Sequence, residues 1–143
     1  MDDQADDTPA APSARIPVVL RMPATPESLT VARQVATGVA RAAGMTGEKV
    51  EDVKVAVTEA CTNAVRHAYG SGEPGSVTLA AWVDGGLLHL SVRDRGEGFS
   101  PESAIQAGVG LLTIRALARD VGVRSHGASG TEVTMSFALS ADA

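Results

Sequence analysis

Apolar residues recur at Val50, Val53, Val57, Cys61, Ala64 and Ala68, the three-and-four spacing of one helix face. The pattern predicts a long helix from about Thr46 to Tyr69, and such a stripe has to be buried against other elements. On roughly the opposite side stand Glu59, Asn63 and His67, spaced i, i+4, i+8, so a helix brings them close together on one face. A carboxylate and a carboxamide one turn apart suit a divalent metal and an activated hydroxyl.

The surroundings of this helix set the fold class. Residues 1–14 are rich in Asp, Ala and Pro without periodicity and read as a disordered acidic tail. Ile16 to Met22 reads as a first strand, and Pro17 places it at a sheet edge. Thr25 and Pro26 then open a helix as N-cap and first-turn residues, and its stripe runs from Leu29 to Ala43, with Gly44 as a stop. Ser76–Val83 and Leu87–Asp94 read as a hairpin across Asp84-Gly85-Gly86. A further helix is expected from about Val109 to Val121. Two last strands follow, roughly Gly122–Ser125 and Thr131–Leu139. The order βα-α-ββ-α-ββ, with hairpin-joined strands, implies an α+β, two-layer sandwich with its helices on one face.

Composition narrows the function classes. The chain has 143 residues, 44% of them hydrophobic, enough for one domain with its own core. Only four aromatics occur (Trp82, Tyr69, Phe99 and Phe137), so aliphatic and alanine packing must build that core. A formal charge of −5 argues against direct nucleic-acid binding. The single cysteine, Cys61, excludes an internal disulfide and any multi-cysteine zinc site, and its place on the apolar stripe predicts a buried, inert thiol. The acidic N-terminus does not read as a secretory signal, and no apolar run is long enough to span a bilayer. A cytoplasmic protein is expected.

Two glycine patterns complete the set. Asp94-Arg95-Gly96-Glu97-Gly98 follows the alternating strand Leu88, Leu90, Val92. It reads either as an ordinary loop leaving a strand or as a place where Asp94 accepts a hydrogen bond from an exocyclic amine while a flat ring passes the backbone. Gly108-Val109-Gly110-Leu111 reads as glycines ahead of a helix, a ready phosphate site. It is neither a P-loop nor a dinucleotide fingerprint. Each pattern alone has an ordinary reading: solvated polar residues for Glu59 and Asn63, an exposed polar residue for His67, and a turn into a strand for Gly130-Thr131. In this order, however, the patterns point to a nucleotide.

Together they resemble the GHKL-type (Bergerat-fold) ATP-binding domain. Glu59-x-x-x-Asn63 looks like the N box, Asp94-x-Gly96-x-Gly98 the G1 box, Gly108-x-Gly110-Leu111 the G2 box and Gly130-Thr131 the G3 position. The resemblance covers essentially residues 15–140 as a single domain, with a mixed, mostly antiparallel sheet. Thr58-Glu59-Ala60-Cys61-Thr62-Asn63-Ala64 with His67-Ala68-Tyr69, and Gly110-Leu111 followed by Ile114-Arg115-Ala116-Leu117, are similar to the RsbW/SpoIIAB-type anti-sigma factor kinases.

The resemblance implies that Asn63 coordinates the Mg²⁺ that bridges the ATP phosphates. It makes Glu59 the general base and Asp94 the partner of the adenine amine. His67, Gly96, Gly98, Gly108, Gly110, Leu111 and Thr131 are assigned to the nucleotide pocket. It further implies a serine/threonine kinase that binds an alternative sigma factor and phosphorylates a STAS-domain anti-anti-sigma factor, and a homodimer. Two rivals stay open: a non-catalytic ATP-binding regulatory module, and a switch kinase acting on a STAS scaffold. Glu59 favours a kinase. The short ATP lid, Phe99 to Ala107, favours the binding module, because many relatives carry a longer lid with a basic residue where Gln106 and Ala107 stand here.

Overall fold

The structure is a computed structural model that describes residues 15–68, 75–95, 101–125 and 130–140. The elements run β1 (Arg15–Pro23), α1 (Pro26–Ala42), α2 (Glu48–Ala68), β2 (Ser76–Asp84), β3 (Leu87–Asp94), α3 (Pro101–Leu117), β4 (Asp120–Ser125) and β5 (Thr131–Ala138). The five strands form one sheet in the order β1-β2-β3-β5-β4. Every pairing is antiparallel, so the sheet is not mixed. Hairpin connections make this natural, since a parallel pair would need a crossover. β1 is an edge strand, as Pro17 requires.

Alternation decides which face meets the helices. β2 gives Val77, Leu79, Ala81 and Val83 to the core, and β3 gives Leu88, Leu90 and Val92. Gly85 and Gly86, both at positive φ (62° and 77°), close the two-residue turn between these strands, a geometry that right-handed strand twist selects. α2 lies on β2, β3 and β5 and also packs against α1 and α3. Its N-terminal end is tied to the sheet by Lys49, whose Nζ donates to the Ala138 carbonyl at 2.9 Å.

α1 begins as expected, with Thr25 at the N-cap and Pro26 in the first turn, but the Thr25 hydroxyl makes no cap bond. It lies 3.3 Å from the Ser28 hydroxyl, which itself donates to the Pro23 carbonyl at 2.7 Å.

The larger departure is α3. It starts at Pro101, eight residues before the expected Val109, and ends at Leu117 instead of Val121. Proline suits a first helical turn, and no further breaker stands between Pro101 and Gly108. The segment expected to be a lid is thus helical from Pro101 onward, while Phe99 and Ser100 lie outside the described residues. The Asp120-Val121 pair, expected at the end of the helix, opens β4 because Val121 pairs with Met135 across the sheet.

Leu90 is fully buried at the centre of β3. Leu90→Ala should lower stability by about 2–5 kcal/mol, the usual cost of a core leucine truncation. Val123→Ala, at a position 42% exposed on the β4 edge, should stay within about 0.5 kcal/mol. Urea denaturation followed by circular dichroism would measure both.

Candidate active site

Glu59 and Asn63 come from the second half of α2. A helix that touched only the sheet would leave them in water. α3 prevents this: Asn63 is only 8% exposed and Glu59 is half-buried. The contact is at Gly110. A Cβ there would stand 3.0 Å from Asn63 Nδ2 and 3.0 Å from Glu59 Oε1. The missing side chain is what lets α3 cross α2 at this point. Gly108 is different, because a Cβ on it would meet nothing within 4 Å. Both glycines lie inside α3 and not ahead of it, so they do not form the helix N-terminal phosphate loop read from the sequence. Leu111 is half-buried against the core, beside the fully buried Ile114.

A second cluster forms where β3 ends and β5 begins. Asp94 is 3% exposed and pairs in register with Thr131, which is 2% exposed. The Thr131 hydroxyl is buried without a hydrogen-bond partner among the described residues. Such a group costs about 1–3 kcal/mol when left unmet. Gly130 brings the two strands this close. Its φ is +107°, and a Cβ on it would fall on the Asp94 carbonyl oxygen and lie 2.7 Å from Arg95 Cα. The sequence signal for Gly130 was a turn glycine before a strand, which did not show that it fits against the backbone of Asp94.

The structure therefore brings Glu59, Asn63 and Gly110 together, and Asp94 together with Thr131. Gly96, Gly98 and the side chain of His67 lie outside the described residues. Among the described residues, no group of three His, Cys, Asp or Glu side chains could hold a metal ion, so any metal here would rely on other oxygens.

Cys61 is 1% exposed, as its place on the stripe required. Burial pushes its thiol from 9.0 up to about 12, opposed only in part by the charge of Arg33.

A groove of about 520 Å³ runs between α1 and α2, lined by Arg33, Arg41, Lys54, Thr37 and Thr58 and ending at Glu59. Lys54 and Thr58 belong to the same wall, which becomes visible only once α1 is laid on α2.

A small α+β domain with these two polar clusters on its helix-covered side belongs to a known class. The chain matches the histidine kinase-like ATPase domain family over residues 22–137, and it is a member of that family. Within the family it belongs with the RsbW serine-protein kinases. It is 36% identical over 125 residues to serine-protein kinase RsbW of Oceanobacillus iheyensis, covering 76% of this chain and 79% of that protein. To the RsbW of Bacillus subtilis it is 33% identical over 141 residues, with 87% of each chain covered. Among solved structures it resembles the RsbU and RsbW domains of Rv1364c from Mycobacterium tuberculosis, with a TM-score of 0.70 and 26% identity. That match covers 87% of this chain and 32% of the longer one.

The three glycines should separate on substitution. Gly108→Ala should stabilise the protein by up to about 1 kcal/mol, as an open helical position gaining helix propensity. Gly110→Ala should destabilise it by forcing α3 off Glu59 and Asn63. Gly130→Ala should cost more than about 2 kcal/mol, combining a left-handed backbone with a main-chain collision. Thermal melts of the three variants would rank them.

Cys61 generates a pH dependence. Between pH 9.0 and about 12 the unfolded thiol ionises while the folded one keeps its proton, so stability falls as pH rises through this window. Cys61→Ala should show a shallower loss over the same range in denaturant titrations, whatever its stability at pH 7.

Proposed function

We propose that this protein is an ATP-dependent serine/threonine kinase that acts as an anti-sigma factor, using Mg²⁺ with its nucleotide. The observation that carries the reading is the position of Glu59. Its carboxylate, like the Asn63 amide, lies against Gly110 of α3, and Glu59 also lines the α1–α2 groove. A base so placed can face a nucleotide and still be reached by a hydroxyl arriving from solvent.

Two features of the chain fit ATP. The unmet Thr131 hydroxyl beside Asp94 is a buried donor and acceptor awaiting a polar ring edge. The Gly110 contact gathers the Asn63 amide and the Glu59 carboxylate on one side of α2, and side-chain oxygens of these types are ones that Mg²⁺ accepts. Bound Mg·ATP would supply the phosphoryl group and the charge neutralisation that such a transfer needs.

The chain's part is positioning and proton handling. Asp94 and Thr131 would hold the adenine edge, with Gly96 and Gly98 allowing its close approach. Gly108, Gly110, Leu111 and His67 would border the phosphates. The Asn63 side-chain oxygen would hold the metal. Glu59 would take the proton of a serine or threonine hydroxyl as that hydroxyl's oxygen bonds to the γ-phosphorus and the bond to the departing ADP breaks.

Names of the relatives say serine-protein kinase, and the partners follow from the anti-sigma reading: an alternative sigma factor and a STAS-domain antagonist carrying the acceptor hydroxyl. The α1–α2 groove, with Arg33, Arg41 and Lys54, is the surface we assign to them. Neither direct nucleic-acid contact nor membrane insertion is part of this reading. No helix among the described residues is long and apolar enough to cross a membrane, and a cytoplasmic location and a homodimer complete the proposal.

The test separates binding from chemistry. Asn63→Ala should lose most Mg·ATP affinity by calorimetric titration, and equal affinity in both proteins would remove Asn63 from the metal. Glu59→Gln should keep that affinity but lose phosphate transfer to a cognate STAS protein by about 10²-fold or more, the usual size of a general-base contribution. Radiolabel transfer would read it. A wild-type protein that binds ATP yet phosphorylates no STAS partner would favour the non-catalytic module.

A further inference from the structure

The face of the sheet turned away from the helices carries a row of charge that the kinase reading does not use. Register places Arg21 of β1 beside Thr78 of β2, Thr78 beside Arg93 of β3, Arg93 beside Glu132 of β5, and Glu132 beside Arg124 of β4. Three arginines and one glutamate thus cross the whole sheet in a single line, in a chain whose formal charge is −5. Arg21 and Arg124 are exposed. Arg93 is half-buried, and its Nε is covered yet has no hydrogen-bond partner among the described residues. Arg93 borders a pit of about 50 Å³ together with Thr78, Ser91, Arg95 and Glu132. Glu132 accepts from the Ser91 hydroxyl at 2.8 Å, so part of the only acidic group in the row is engaged there. An aligned set of cations with an unmet donor beside a small pit fits carboxylates.

We infer that this row is the docking site for the chain's own acidic N-terminal segment, Asp2, Asp3, Asp6 and Asp7. Charge is the first reason: four aspartates lie within the first seven residues, with no basic residue before Arg15. Reach is the second. β1 starts at Arg15, opposite Val83, at the end of the sheet away from the arginine row. Six residues of strand separate Arg15 from Arg21, about 20 Å at strand rise. Asp7 stands eight residues before Arg15, about 27 Å of extended chain, so a segment turning back over the open face reaches the row.

Composition of the spacer is the third reason. Thr8-Pro9-Ala10-Ala11-Pro12-Ser13-Ala14 is uncharged and small. Between the Arg15 end of the sheet and the arginine row, the same face has a shallow furrow of about 420 Å³ lined by Trp82, His89, Gly122, Thr134 and Ser136, where the Trp82 and His89 rings stack at 5.3 Å. Apart from Glu132 in the row, the acids on this face, Asp84 and Asp120, lie at the furrow end, where an aspartate-rich segment would be repelled. Only the registration with aspartates on the arginine row satisfies both ends. Arg93 and Glu132 directly adjoin Asp94 and Thr131 in the chain, so the docked segment would lie behind the candidate adenine contacts. The inference itself stands apart from the kinase reading.

The test uses the full-length chain with Ala5→Cys carrying a nitroxide. The buried, protonated Cys61 leaves the new thiol as the reactive one. Amide signals of Arg93, Glu132 and Arg124 should broaden, while those of Val31 and Val55 on the helix layer should not. Broadening should fade at 0.5 M NaCl, where screening shortens the reach of surface charges. It should also fade when Asp2, Asp3, Asp6 and Asp7 are all changed to Asn, substitutions that leave the folded sheet untouched. Arg21→Gln with Arg124→Gln should weaken it from the other side. Absence of broadening on the row, or broadening indifferent to the Asn changes, overturns the inference. Broadening of isotope-labelled, nitroxide-free chains mixed with unlabelled nitroxide chains would also overturn it, because the occupant would then be a second copy's segment.

Discussion

Burial of α2 on several sides is the constraint on which the other features depend. Val53, Ala56, Val57 and Ala60 are at most 1% exposed, and they face the sheet and both neighbouring helices. With two phenylalanines, one tryptophan and one tyrosine in the whole chain, few bulky rings are available to fill space between layers. The core closes instead by bringing backbones near one another. Ala32, Ala36 and Ala40 of α1, with Ala56, Ala60 and Ala64 of α2, are all buried. Small residues at a helix contact permit short interaxial distances. Gly110 takes the same solution to its limit, and the polar pair Glu59 and Asn63 is enclosed as a consequence.

That enclosure changes what the pair can do. On a solvated helix a carboxylate and an amide are worth little as a site, because water competes for every contact. Asn63 at 8% exposure keeps an oriented amide, and Glu59 remains reachable from the α1–α2 groove. The other cluster is assembled by different means. Asp94 and Thr131 are register partners, and their approach depends on Gly130 lying against the Asp94 main chain. One cluster is thus set by helix packing and the other by strand pairing, and α2, which carries the first, lies on β3, which carries Asp94.

The two faces of the sheet carry unlike chemistry for a reason visible in the alternation of β3 and β5. Asp94 and Thr131 turn inward, while their neighbours Arg93 and Glu132 turn outward. A strand that ends at a polar inner site therefore offers a polar outer site one residue away. The arginine row is this second product of the pleat.

Much of the fold was legible in the chain. Alternation in β2 and β3, the Gly85-Gly86 turn, Pro17 at the edge and the Val50-to-Ala64 stripe are local signals, and the structure follows each of them. The start of α3 was not legible, because glycines at 108 and 110 look like a loop until it is seen that one points at open space and the other at α2. Asp120-Val121 was expected to end the helix, and only pairing with β5 made it the start of a strand. The residue types of the candidate site, and their order, were set by the sequence alone. Their burial was not, because exposure depends on what packs against a face, and that is a property of elements distant in the chain. Glu59 and Asn63 read as solvent-facing by period and became enclosed by Gly110, about fifty residues later, while Arg21, Arg93 and Arg124 became one row only through strand register.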